Sequence, residues 1–134
     1  RGYRDGTDPR RADGWFPTGD LGTFREGVVE VFGRRGDLII TGGENVWPAA
    51  VERVLAAHPA VREVCVVGRA DPEWGQRVVA VVVPEHPGAP PALADLRDWA
   101  KRQLPAHAAP SVVEVVGALP RTGSGKVRRR DLRA

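Results

Sequence analysis

The sequence has no methionine and a single cysteine, Cys65. One cysteine cannot close an intramolecular disulfide, and it excludes a cysteine-rich zinc site. Its place in an apolar stretch points to an inert thiol. The three histidines, His58, His86 and His107, each lie beside or near proline in loop-like surroundings. No metal-ligand spacing connects them, and no Ser-His-Asp or Cys-His arrangement emerges. Long apolar runs are absent too: none approaches the roughly 18 residues a bilayer-spanning helix needs. The opening Arg1-Gly2-Tyr3 carries no apolar signal core, so cytoplasmic residence is the default expectation. With no initiator methionine, we expect the chain to be a piece of something longer.

Against these absences stand 134 residues of ordinary globular composition, 42% hydrophobic and 28% charged. A compact chain of this size buries roughly two thirds of its unfolded surface, enough for a core. The formal charge is +3, but unevenly placed. The last stretch, 121–134, holds Arg121, Lys126, Arg128, Arg129, Arg130 and Arg133 against Asp131 alone. Such a basic end is either a solvated surface helix or a steering patch for phosphate, nucleic acid or an acidic partner. Lysine is scarce, only Lys101 and Lys126, which makes both worth locating.

Residues 1–20 show no hydrophobic period and read as an irregular approach segment. Leu21–Phe24 and Val28–Phe32 flank a glycine-containing turn and predict a hairpin. Asp37–Thr41 is a short strand stopped by Gly42-Gly43. Pro48 opens a helix with Val51, Val54 and Leu55 on one stripe, ended by His58-Pro59. Val61–Val67 and Val78–Val83 are β-branched and predict buried strands, with residues 71–76 as a loop between them. Leu93, Leu96, Ala100 and Leu104 mark a second helix closed by Pro105. Val112–Val116 is another strand, residues 120–125 a flexible loop, and Val127–Leu132 a short terminal helix. Hairpins mixed with helices predict an α+β fold with a small mixed or antiparallel sheet, rather than a doubly wound sheet.

Thr122-Gly123-Ser124-Gly125-Lys126 suggests a phosphate loop at first sight. That loop requires a glycine six residues before the lysine and a hydroxyl residue after it; Pro120 and Val127 occupy those places. What survives is a lysine on a glycine loop, able to stabilise negative charge that grows during a reaction. Thr18-Gly19-Asp20 sets a carboxylate at a strand entrance, where it is either a turn former or a bidentate acceptor for ribose hydroxyls. Arg34 could assist at a ribose or phosphate.

Together these segments resemble the acyl-CoA synthetase branch of the AMP-binding, adenylate-forming superfamily. Residues 14–22, Gly-Trp-Phe-Pro-Thr-Gly-Asp-Leu-Gly, are similar to its G-W-x-x-T-G-D-L-G segment. Residues 31–37 and 39–48, with Val51-Glu52, resemble its hinge motif. Residues 119–127, with Arg129-Arg130, resemble its C-terminal lysine motif. The resemblance implies an enzyme that joins a carboxylic acid to CoA through an acyl-adenylate, using ATP and Mg. It implies that Asp20 and Arg34 bind the ATP/AMP ribose, and that Lys126 reaches the substrate carboxylate and α-phosphate. It implies a hinge at Gly36 and a CoA path along Gly42 and Gly43, with Trp74 available to stack on the CoA adenine. Residues 1–35 would then be the remnant of the large N-terminal domain, and residues 36–134 the mobile C-terminal lid, inactive without its partner. Four positions depart from the pattern: Gly36 replaces the usual Asp or Lys, Trp47 a usual Tyr, and His107-Ala108 a frequent Tyr-Lys pair. The alternative is a free-standing basic module that binds nucleic acid or an acidic protein through residues 121–133.

Overall fold

The computed structural model describes residues 20–25 and 28–133. Strands Asp20–Arg25 (β1) and Val28–Arg34 (β2) pair as an antiparallel hairpin that sets Asp20 opposite Arg34. A 3-10 turn, Arg35–Asp37, leads out of it. Gly36 sits in mid-turn, and a Cβ added there would meet nothing within 4 Å.

A second hairpin follows, Ile39–Thr41 (β3) with Glu44–Val46 (β4). Gly42-Gly43 end the strand at Thr41 as expected, but they also turn the chain into a further strand that the sequence pattern does not predict. The two glycines are the hairpin turn, with φ of +56° and +81°. Two successive left-handed residues give the tight turn whose twist suits antiparallel strands. Helix α1, Pro48–Ala56, has proline at its start and buries Val51, Val54 and Leu55.

The central sheet is built from Val61–Asp71 (β5), Gly75–Pro84 (β6) and Val112–Val115 (β7), in the order β5-β6-β7. β6 is antiparallel to β5 and parallel to β7. The parallel pair is connected through helix α2, Leu93–Lys101, as a parallel connection requires. β5 and β6 run further than their valine runs alone suggest, leaving only Pro72–Trp74 as the turn. The Asp71 carboxylate accepts bonds from the Glu73 and Trp74 amides, each 2.9 Å, and Gly75 takes φ +80°, so the chain reverses at once.

The valine run of β6 is continuous because both faces of the strand are covered. Val78, Ala80 and Val82 face Leu55 of α1, Leu96 and Ala100 of α2, and Ile39. Val79, Val81 and Val83 face the other way, where Cys65, Val67 and Leu119 join them and Val127 and Leu132 pack against the cluster. The C-terminal segment thus lids the second face of the sheet. Its last turn is a 3-10 helix at Arg129–Leu132, not an α-helix from Val127, because Val127 is held in an extended bridge to Arg121.

Candidate functional site

Lys126 lies at the tip of a closed turn. Arg121 and Val127 form an antiparallel bridge, and the Arg128 amide donates to the Pro120 carbonyl at 2.8 Å. Inside that frame the Thr122 amide donates to the Lys126 carbonyl at 2.7 Å, and the Gly125 amide to the Thr122 carbonyl at 2.9 Å. The Thr122 hydroxyl accepts from the Lys126 amide at 3.2 Å and is bonded to the Ser124 hydroxyl at 2.9 Å. Gly125, at φ +89°, permits the reversal. The Arg121 guanidinium donates to the Gly125 carbonyl at 2.9 Å and pairs with Glu63 at the start of β5. A segment expected to be a loose loop is therefore a hydrogen-bonded tip. Lys126 is exposed, and among the described residues its ammonium has no partner.

The other expected site residues fall elsewhere. Asp20 and Arg34 are register partners across β1 and β2, which brings the two ribose candidates together along the backbone. Gly42 and Trp74 meet at the opposite end of the β5–β6 hairpin from the Lys126 tip. The Gly42 amide donates to the Trp74 carbonyl at 2.9 Å, and a Cβ on Gly42 would come within 2.9 Å of the indole. Gly43 points into open space. Trp74 is 54% exposed, with one part of its ring against Gly42 and the rest open to solvent. It borders a groove of about 550 Å³ lined also by Thr41, Arg77, Arg97 and His107. Arg97 is braced there by the Pro110 carbonyl at 2.7 Å. Bonds from the Trp74 and Glu73 amides shape the Trp74 turn and hold the Asp71 carboxyl below its ordinary range. Of the groove residues, Arg77 and Arg97 were not singled out in the sequence, and His107 only as one of three histidines and as a departure from the family pattern; their neighbourhood depends on strand pairing and on the approach of residues 106–112.

From Glu63, beside the Lys126 tip, to Asp71, beside Trp74, β5 runs eight residues. At a strand rise of about 3.3 Å the two candidate faces are roughly 26 Å apart. They cannot attend one reacting atom at the same time.

The arginines after Lys126 are mostly engaged within the domain. Arg129 makes a two-pronged pair with Glu52 of α1, at 2.8 and 3.2 Å, and donates to the Val66 carbonyl at 2.8 Å. Burial works against its charge, yet Glu52 outweighs that penalty and holds the guanidinium's pKa above its usual value. Asp37 receives both Arg129, at 3.5 Å, and Arg133. Arg69 holds the Leu132 carbonyl at 3.0 and 2.8 Å and pairs with Glu114, whose carboxyl it lowers. Arg128 pairs with Asp131. Arg121, Arg128, Arg129 and Arg133 thus all have carboxylate partners, which leaves the basic end little free charge for a polyanion.

Among the described residues no group of three or more His, Cys, Asp or Glu side chains could hold a metal ion. No described helix is long and apolar enough to cross a membrane.

A protein of Mycobacterium tuberculosis (strain ATCC 25618 / H37Rv) named "Probable 2-succinylbenzoate--CoA ligase" is 46% identical over 137 residues, covering 98% of this chain and 36% of its own length. The fatty acid–[acyl-carrier-protein] ligase ScoC of Streptomyces coeruleorubidus is 43% identical over 133 residues, covering 98% and 25%. The o-succinylbenzoate CoA synthetase MenE of Bacillus subtilis, solved with its acyl-adenylate intermediate, superposes with a TM-score of 0.81 at 39% identity, covering 98% and 27%. The chain therefore spans about a quarter to a third of the length of these relatives. Residues 50–126, more than half of it, match one family along its length, and the architecture agrees: the chain belongs to the AMP-binding enzyme C-terminal domain family.

Proposed function

We propose that this chain is the C-terminal domain of an ATP-dependent carboxylate–CoA ligase and works against a large N-terminal domain that holds most of the nucleotide site. The observation that carries the reading is the placement of the Lys126 tip and the Gly42–Trp74 groove at opposite ends of β5. Two steps with different needs match two faces that cannot be used at once. The boundary between the two domains falls near Arg35 on this reading.

In the first step the substrate carboxylate attacks the α-phosphorus of ATP, and pyrophosphate leaves as the acyl-adenylate forms. Negative charge grows on the α-phosphate, and the Lys126 ammonium, without a partner among the described residues, is suited to stabilise it. Asp20 and Arg34, paired across the hairpin, would hold the ribose. Mg would accompany ATP, neutralising phosphate charge; the described residues gather no ligand set for it. In the second step the CoA thiol gives up its proton to solvent, its sulfur bonds to the acyl carbon, and the bond from that carbon to the phosphate oxygen breaks to release AMP. The exposed indole of Trp74 offers a stacking face for the CoA adenine, with Arg77 and Arg97 in the same groove for its phosphates. Gly36, with no Cβ and open surroundings, would lie at the pivot between the two arrangements. This reading implies a cytoplasmic enzyme.

The test separates the half-reactions in the complete ligase. Lys126→Ala is expected to slow adenylation, read by pyrophosphate exchange, by about a hundredfold or more. Thioester formation from supplied acyl-adenylate and CoA should stay within about twofold. Equal losses in both steps, or none, would overturn the proposal. The 134-residue chain alone is expected to release no AMP from acetate or longer acids with Mg·ATP and CoA.

A further inference from the structure

Asp37 immediately follows the hinge candidate Gly36, and its carboxylate binds the segment that follows Lys126. One oxygen receives Arg133 and the other lies 3.5 Å from Arg129 Nε. Arg129 continues the chain of contacts to Glu52 on α1 and to the Val66 carbonyl on β5. The 3-10 helix that carries Arg129 buries no residue of its own. Leu132 packs part-buried against the second core cluster, and the rest of the helix's grip on the body is polar, through Asp37, Glu52, and Arg69 holding the Leu132 carbonyl. The turn at Arg35–Asp37 is distant in sequence from Lys126, yet the ion pairs join it directly to Arg129 and Arg133, in the segment just beyond Lys126.

We propose that Asp37 is a positioning residue that clamps the hinge turn to the C-terminal segment, so that rotation at the hinge aims the Lys126 tip as part of one rigid body. The inference rests on the ligase reading above for its kinetic consequence, but the clamp itself is a property of this chain. Without the Asp37 charge, Arg133 loses its carboxylate partner and Arg129 keeps Glu52 alone. The tip would then keep its Arg121–Glu63 anchor but hang from a looser tether on its C-terminal side. The Gly42–Trp74 groove, at the far end of β5, has no part in the clamp and would be unaffected. A misplacement of about an ångström at a reacting group is enough to slow a step greatly.

The experiment uses the complete ligase with Asp37→Asn and Asp37→Glu, and Lys126→Ala as a control. Each half-reaction is measured, together with hydrogen exchange of the Arg128, Asp131 and Arg133 amides. For Asp37→Asn the expected result is a roughly tenfold or greater fall in the adenylation kcat with little change in the KM for ATP. Thioester formation should be unchanged, and exchange should be faster in residues 128–133 while β5 and β6 keep their protection. Asp37→Glu, which retains the charge, should recover most of the rate. Equal loss in both half-reactions, loosening throughout the sheet, or no change in either readout would overturn the clamp. If Lys126→Ala leaves adenylation intact, the ligase reading fails instead. Exchange in Asp37→Asn then still decides the clamp: local acceleration supports it, and unchanged protection overturns it.

Discussion

Three glycines of the expected mechanism make contrasting demands, and alanine at each should separate them. Gly42 and Gly43 both have left-handed backbone, at φ +56° and +81°. An alanine in that region costs about 1–2 kcal/mol, so both variants should lose stability by that amount in urea unfolding followed by circular dichroism. Gly36 has neither a left-handed φ nor a neighbour within 4 Å of an added Cβ. Its alanine variant should stay within about 0.5 kcal/mol of the parent. The second measurement divides Gly42 from Gly43. A Cβ at Gly42 would lie 2.9 and 3.1 Å from Trp74 Cε3 and Cζ3, while one at Gly43 meets nothing. The exposed indole must swing aside in Gly42→Ala, away from where an adenine would stack. Base–aromatic stacking is worth about 1–3 kcal/mol, and 1.4 kcal/mol is a factor of ten. In the thioester half-reaction of the complete ligase, Gly42→Ala should therefore raise the KM for CoA about tenfold or more, and Gly43→Ala should leave it within about twofold. Equal effects of the two on KM would refute the indole contact as the cause. Unchanged stability in both would refute the strain argument.

Arg129→Ala should destabilise the chain by about 2–4 kcal/mol in urea unfolding, because it strands the mostly buried Glu52 and frees the Val66 carbonyl. A loss under about 1 kcal/mol would mean that water takes the arginine's place easily. Cys65 is pushed from an ordinary 9.0 up to about 11, first by burial and then by the Glu52 and Asp37 charges, with Arg129 opposing. The fold thus favours the neutral thiol. Its contribution to stability is complete below pH 9 and is lost as pH rises toward 11, since the unfolded chain ionises first. Cys65→Ala should flatten that alkaline arm of the stability curve, and the native thiol should resist disulfide-exchange reagents at pH 8; rapid labelling there would show the burial argument to be wrong.

Much of the architecture is readable along the chain because its signals are local. Pro48, the Val51–Val54–Leu55 stripe and the β-branched runs of β5 and β6 each state their element within a few residues. The same holds for Lys126: a scarce residue among glycines in a family motif needs no partner in space to be noticed. What stays hidden depends on neighbours remote in sequence. β4 shows only against β3, because Glu44-Asn45-Val46 has too short a pattern to identify a strand. The Lys126 tip looks loose by composition and becomes closed through bonds among its own backbone groups and Arg121. The groove assembles Trp74, Arg97 and His107 from three segments that only sheet pairing and helix packing bring together. The largest difference lies in the arginines after Lys126. In one dimension they are a run of like charge pointing to a polyanion; in three Arg129 and Arg133 find Glu52 and Asp37, 77 and 96 residues away. Charge type is a property of each side chain, whereas pairing is a property of the path that carries the chain back across its own sheet.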